Sequence, residues 1–273
     1  MKKLVTAFAL CATMSAMAVD SANIVGYSTQ ALTSGYNMVG VNFEKVGSGG
    51  ADLNTMTFTG LAEVNYETTT GGDQLLIWDP AAQGYPTTYS WCGPNADASM
   101  STTGMNNKWI DFATFDGETV PVVTVPVSGA AWILRTTVGS ASATFAGQVK
   151  TSASTISLFE GYNMVANSMP TSVNLNDVAK LTYTSLVEVN YETTTGGDQL
   201  LIWDAAVQGY PTTYSWCGPN ADASMSTTGM NNKWIDFATF DGETVPVVTL
   251  PVNGAAWLLH TSSDAASVNV SAL

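Results

Sequence analysis

Apolar positions in this chain fall in short runs separated by Gly, Pro, Asn, Asp, Ser and Thr, a pattern of strands and turns. Gln74-Leu75-Leu76-Ile77-Trp78 is apolar on both faces after Gln74, so it predicts a central strand covered on both sides. Gly71-Gly72 separates that run from Leu61–Tyr66 and predicts a hairpin with a slightly long loop. Asp111–Phe115 and Glu118–Val123 flank Asp116-Gly117, a dipeptide suited to a type I′ hairpin because both central residues need positive φ. Pro121 and Pro126 push their segment toward a sheet edge or a bulge. Ala130–Leu134 is apolar again. Near the end, Val268, Val270 and Ala272 alternate with Ser267, Asn269 and Ser271, a half-buried closing strand whose counterpart is Ser142–Val149. Helical signals are few: Asn174–Leu181 predicts two turns with an Asn N-cap, and Asp52–Met56 is its weaker counterpart.

The strand pattern occurs twice. Glu63–Thr124 recurs as Glu188–Thr249 at an offset of 125, with changes only at Pro80/Ala205 and Ala82/Val207. Gly35-Tyr36-Asn37-Met38-Val39 answers Gly161-Tyr162-Asn163-Met164-Val165, and Gly129-Ala130-Ala131-Trp132 answers Gly254-Ala255-Ala256-Trp257. The period is too long for a solenoid and long enough for a core in each copy. The expected organisation is residues 1–18 as a signal peptide, 19–149 as copy 1 and 150–273 as copy 2. With eight or nine short strands per copy, the expected fold is all-β, two tandem β-sandwich-like domains, with small β-barrels as the alternative. Such near-identity follows from recent duplication, or from keeping one surface twice.

The order Gly-Tyr-Asn-Met-Val, Gln-Leu-Leu-Ile-Trp-Asp, Gly-Ala-Ala-Trp-Ile-Leu and Phe145-Ala146-Gly147-Gln148-Val149 resembles a tandem β-repeat domain of uncharacterised exported bacterial proteins. The resemblance covers nearly all of the chain after residue 18 and rests on short motifs of structural residues. The insert Trp91–Trp109 has no place in it. It implies export and repetition, and no activity.

The N-terminus carries the same implication independently. Lys2-Lys3, the apolar stretch Leu4–Met14 and Ala16-Met17-Ala18 form a secretory signal peptide, expected to be cleaved after Ala18. The apolar stretch is too short for a membrane span, which needs about 20 residues. Cys11 is preceded by Leu10, which does not fit a lipidation motif. Cleavage takes the formal charge from −14 to −16 and leaves six basic residues, so neither nucleic acid nor an anionic membrane surface is an expected partner. Eight tryptophans and 45% apolar residues are enough to build a core, against a disordered chain.

Candidate chemistry is sparse. The sole histidine, His260, stands where copy 1 has Arg135, with no nucleophile marked beside it. Asp79, Asp97, Asp111, Asp116 and Glu118 are available as a glycosidase pair, or else as turn and surface acids. Asn95, Asp97, Asp111 and Asp116 offer oxygen ligands for calcium but lack the spacing of a known calcium loop, and zinc has no ligand set. Cys92 and Cys217 sit in turn-like, surface-type segments, expected not to bond to each other within one chain. Aromatics are the strongest functional hint. Tyr85, Tyr89, Trp91 and Trp109, with Tyr210, Tyr214, Trp216 and Trp234, lie among amide and hydroxyl residues, a mixture that stacks on sugar rings when exposed and builds a core when buried. The first expectation is therefore a non-enzymatic structural or adhesive protein of the cell envelope, periplasm or extracellular space, partnered by glycans or envelope proteins. A bivalent carbohydrate-binding protein comes second, and a glycan-active enzyme third.

Overall fold

The computed structural model describes residues 25–45, 50–126 and 128–272. The expected signal peptide and Cys11 lie outside the described residues. The protein is 42% strand and 5% helix, which settles the class as all-β.

Each copy contributes a small outer sheet and a five-stranded sheet, all antiparallel. In copy 1 the five strands run in the order Gly35–Gly40, Ala130–Arg135, Gln74–Ile77, Thr88–Cys92 and Lys108–Ile110. Its outer sheet pairs Val25–Leu32 along the whole strand with Ala141–Val149, which also pairs with Phe43–Glu44 and Thr57–Thr59. Copy 2 repeats the five-stranded order as Gly161–Ala166, Ala255–His260, Gln199–Ile202, Thr213–Cys217 and Lys233–Ile235. Its outer sheet has three strands, Ser154–Leu158, Ala266–Val270 and Leu181–Thr184.

Period-two alternation divides the five-stranded sheet between two cores. In copy 1, Val39, Leu75, Ala131 and Ile133 face Leu32, Phe58, Ala143 and Phe145 of the outer sheet. The intervening residues Met38, Leu76, Ala130 and Trp132 point the other way. They meet Met164, Leu201, Ala255 and Trp257 of copy 2 in a third apolar cluster. The expectation of two free-standing sandwiches is corrected by this layer. The molecule is a set of small antiparallel sheets arranged about a centre that neither copy completes alone. The physical reason was already in Gln74–Trp78: a strand apolar on both faces needs a cover on both.

Several local expectations also change. The Asp116-Gly117 hairpin does not form: Asp111–Val123 is a series of turns and extended chain. Asp116 Oδ1 accepts from the Glu118 and Thr119 amides at 2.9 Å each, so the Asp side chain itself closes the turn. Leu61–Tyr66 reaches only an isolated bridge, Asn65 with Thr70. Asn174–Leu181 is a strand end and a turn rather than a helix. Asp52–Met56 does hold a short 3₁₀ turn, Leu53–Thr55, with Asp52 accepting from the Asn54 amide. The insert carries a five-residue helix, Ala96–Met100, repeated as Ala221–Met225.

The two cores are not equally filled. Strand register sets Val270 opposite Ser154, the position that Phe145 holds opposite Ser28 in copy 1. Phe145 packs edge-on against Phe58 at 6.4 Å. Around Val270 there is instead an apolar cavity of about 30 Å³, lined by residues including Ile156, Tyr183, Leu200 and Val268. Phe145→Val is expected to lower unfolding stability by about 2 kcal/mol, as core truncation leaves a void. Val270→Ile, which adds one methylene-sized group, is expected to raise it by about 0.8 kcal/mol by filling one. Urea unfolding of both variants checks the pair, and a stabilising Phe145→Val would contradict the packing described.

Candidate functional site

The aromatic residues singled out in the insert go to two different places. Trp91 and Trp109 are directly paired across neighbouring strands and lie in the copy 1 core, 3% and 0% exposed. Their rings sit 5.0 Å apart and both meet Phe58 at 5.4 Å. Trp216 and Trp234 repeat this at 5.1 Å, with Tyr183 in the place of Phe58. Tyr89 and Tyr214 pack partly buried against the same cores. These six rings therefore are scaffold, and the four tryptophans offer no face to a ligand. Their tryptophans occupy strands that close the sheet, which the Gly/Pro/Asn-rich sequence around them concealed.

Tyr85 and Tyr210 go to the junction between the copies. There a reciprocal chain of edge-to-face rings runs Tyr85, Trp78, Trp257, Tyr162, with centroids 5.0, 4.9 and 5.7 Å apart. Its mirror runs Tyr210, Trp203, Trp132, Tyr36, at 5.0, 4.9 and 5.8 Å. Trp78 Nε1 donates to the Tyr162 carbonyl at 2.9 Å, and Trp203 Nε1 to the Tyr36 carbonyl at 3.0 Å. Gln83 holds Tyr162 like a strand partner: its Oε1 accepts from the Tyr162 amide and its Nε2 donates to the Tyr162 carbonyl. Gln208 does the same to Tyr36. The neighbouring Gly35 and Gly161 have φ of 89° and 94°, and a Cβ on either would collide with the opposing Gln side chain. Burial raises the Tyr85 phenol and pushes that of Tyr210 up to about 12. Tyr36 and Tyr162 remain 43% exposed and Tyr85 37%, so the junction ends in a partly open aromatic rim.

The acids are committed to backbone. Asp97 Oδ2 accepts from Gly104, and its Oδ1 from Met105 and Asn106. Asp79 accepts from Ala81 and Ala82, and Asp111 from Ala113 and the Thr114 hydroxyl. A calcium ion would have to displace these donors. Among the described residues no three His, Cys, Asp or Glu side chains gather as a metal cluster. The surface setting expected for the cysteines is also corrected. Cys92 and Cys217 are fully buried, each in its own copy's cluster with Met105 or Met230. Burial, reinforced by Glu63 or Glu188, pushes both thiols up to about 12.

His260 turns out to be a structural partner. Asp198 is fully buried, and its Oδ2 lies 2.7 Å from His260 Nδ1 while its Oδ1 accepts from the Thr261 amide and hydroxyl. His260 Nε2 lies 3.0 Å from the Asp264 carbonyl. In copy 1 Arg135 plays the same part toward Asp73, 3.7 Å away, and its guanidinium also donates to the carbonyls of Leu32, Gly139 and Gly60. Both side chains cross-tie loops around a buried carboxylate.

Two outcomes follow from these placements. Trp91→Ala and Trp216→Ala are each expected to cost about 3–5 kcal/mol of stability in denaturant titrations, as core tryptophans do. A loss below about 1 kcal/mol would return these rings to the surface. Backbone amides, that of Gly104 foremost, hold the Asp97 carboxyl below its ordinary value of 3.8, and the same holds for Asp222 through Gly229. A depressed folded-state value contributes stability above the ordinary carboxylate value, and that stability is lost as pH falls through the depressed one. The melting temperature is therefore expected to drop below about pH 4, and Asp97→Asn with Asp222→Asn to flatten that drop. Comparison of the chain with protein-family models, with curated proteins and with solved structures returns no match.

Proposed function

We propose that this is a non-enzymatic exported protein with a structural or adhesive role in the cell envelope or outside the cell. The observation that carries the reading is how the twice-repeated block uses its reactive residue types. Trp91 and Trp109 and their copies fill cores, Asp97 and Asp116 close turns, the cysteines are buried, and Gln83 and Gln208 clamp the copies together. That pattern favours a rigid two-copy unit over a reaction centre. The basic and apolar N-terminal stretch and the resemblance to exported β-repeat proteins support export. A glycan-active enzyme would need a carboxylate pair free to exchange protons. The bivalent glycan reading, placed in the insert, loses its four tryptophans as platforms.

The test is fractionation of the native cells with an antibody to the folded chain, followed by deletion of the gene. The protein is expected in the envelope or medium, and its loss is expected to weaken surface attachment or cell–cell cohesion. Retention in the cytoplasm, or turnover of a polysaccharide pool by the purified protein, would overturn the reading.

A further inference from the structure

The two-fold relation at the junction fails at one latch. Gly40 N–H donates to the Asn253 carbonyl at 2.7 Å, and Ala166 N–H donates to the Ser128 carbonyl at 2.8 Å, so Asn253 and Ser128 are equivalent turn residues. Both have positive φ, 59° and 69°. Asn253 also reaches sideways: its Oδ1 accepts from Ser28 Oγ at 2.8 Å, tying the turn of copy 2 to the outer sheet of copy 1. On the other side the partners are Ser128 and Ser154, and the shorter side chain makes no such tie. Ser154 Oγ is buried there with no hydrogen-bond partner. Between the Ser128 turn and the Ser154–Leu158 strand lies a groove of about 290 Å³. Its lining includes Trp78, Pro80 and Pro126 together with the hydroxyl residues Ser128, Thr155 and Ser157, of which Thr155 Oγ1 already donates to Asn269.

We propose that this groove binds a neutral saccharide, one or two pyranose rings of a glycan. Its volume lies at the small end of ligand-binding pockets, about 300 Å³ and above. Its lining carries an indole and two proline rings but no charged side chain, so an ionic ligand finds no counter-charge in it. The chain's net charge of −14 further disfavours anions. A pyranose combines an apolar C–H face with a rim of hydroxyls, which suits a lining of indole and proline rings with Ser and Thr residues among them. The site uses residues of both copies at once, on the side of the junction where the Asn253–Ser28 bond has no counterpart. It goes beyond the structural role, and differs from the insert in place and in number.

The decisive variant is Ser128→Asn. Asn tolerates positive φ better than Ser and has the reach to bond Ser154 as Asn253 bonds Ser28, which would close the groove without unfolding the chain. Full-length mature protein is titrated with cellobiose, maltose, lactose and diacetylchitobiose, followed by two-dimensional amide and indole NMR. Saturable shifts are expected at the Trp78 indole and the Thr155 and Ser157 amides with at least one of these sugars. Ser128→Asn is expected to melt no lower than the parent and to bind at least tenfold more weakly. Absence of saturable shifts with all four sugars, shifts centred away from the groove, or unchanged affinity in a folded Ser128→Asn protein would each overturn the proposal. None of those results touches the structural role, which location and cohesion test separately.

Discussion

The five-stranded sheet of each copy is apolar on both faces, and the architecture follows from satisfying the second face. One face is covered within the copy by the outer sheet, through Leu75, Ile133, Phe58 and Phe145. The other carries Met38, Leu76 and Trp132, and a sheet face of that composition in water would be an association site. The second copy covers it with the same residues in reverse, Met164, Leu201 and Trp257. Burial of this layer is non-directional, so it does not by itself fix one arrangement. Direction comes from the polar groups at its margin: the two indole N–H donors, the Gln83 and Gln208 clamps, and the backbone bonds from Gly40 and Ala166. Each is short-range and angular, and together they leave one relative setting of the sheets.

The margin also explains the position of several glycines. At Gly40 a Cβ would stand 2.7 Å from the Gly254 carbonyl oxygen and 2.8 Å from the Ala166 Cβ, so the sheets approach there more closely than any side chain permits. Within each copy, a buried aspartate does comparable work for the loops. Asp73 and Asp198 accept from the backbone on one side and face a basic side chain on the other, Arg135 in one case and His260 in the other. An unpaired carboxylate at such a place would be costly, so a basic partner is retained even where its identity changes.

Much of this was legible in the sequence, and the reason differs from element to element. Gln74–Trp78 declared a doubly covered strand because five residues contain the whole signal. Val268 and Val270 declared their buried face through plain alternation. The all-β class and the duplication needed no more than such local signals. What covers the second face of Gln74–Trp78 was not legible, since apolar residues do not name their partner. Nor does anything in Ala82-Gln83-Gly84 name the partner of the junction glutamine. Asp116-Gly117 misled because the dipeptide serves an Asp-capped turn as readily as a hairpin. Trp91 and Trp109 were placed among loop residues by composition. Their burial is set by the opposing Phe58, which lies more than thirty residues upstream in the sequence.

The reciprocal junction has an implication for the history of the chain. Tyr36 meets Gln208 and Tyr162 meets Gln83, the i-to-j and j-to-i pattern that defines the isologous interface of a symmetric homodimer. Tethering two such halves replaces a concentration-dependent encounter with an intramolecular one at an effective concentration of about millimolar or more. It also removes a restriction. In a homodimer every substitution at the interface appears twice, so a change good for one side must be tolerated by the other. In a fused pair each side drifts alone. Ser128 against Asn253 and Pro80 against Ala205 are differences that a dimer of identical chains cannot hold, and through them a pseudo-symmetric contact has two distinguishable ends.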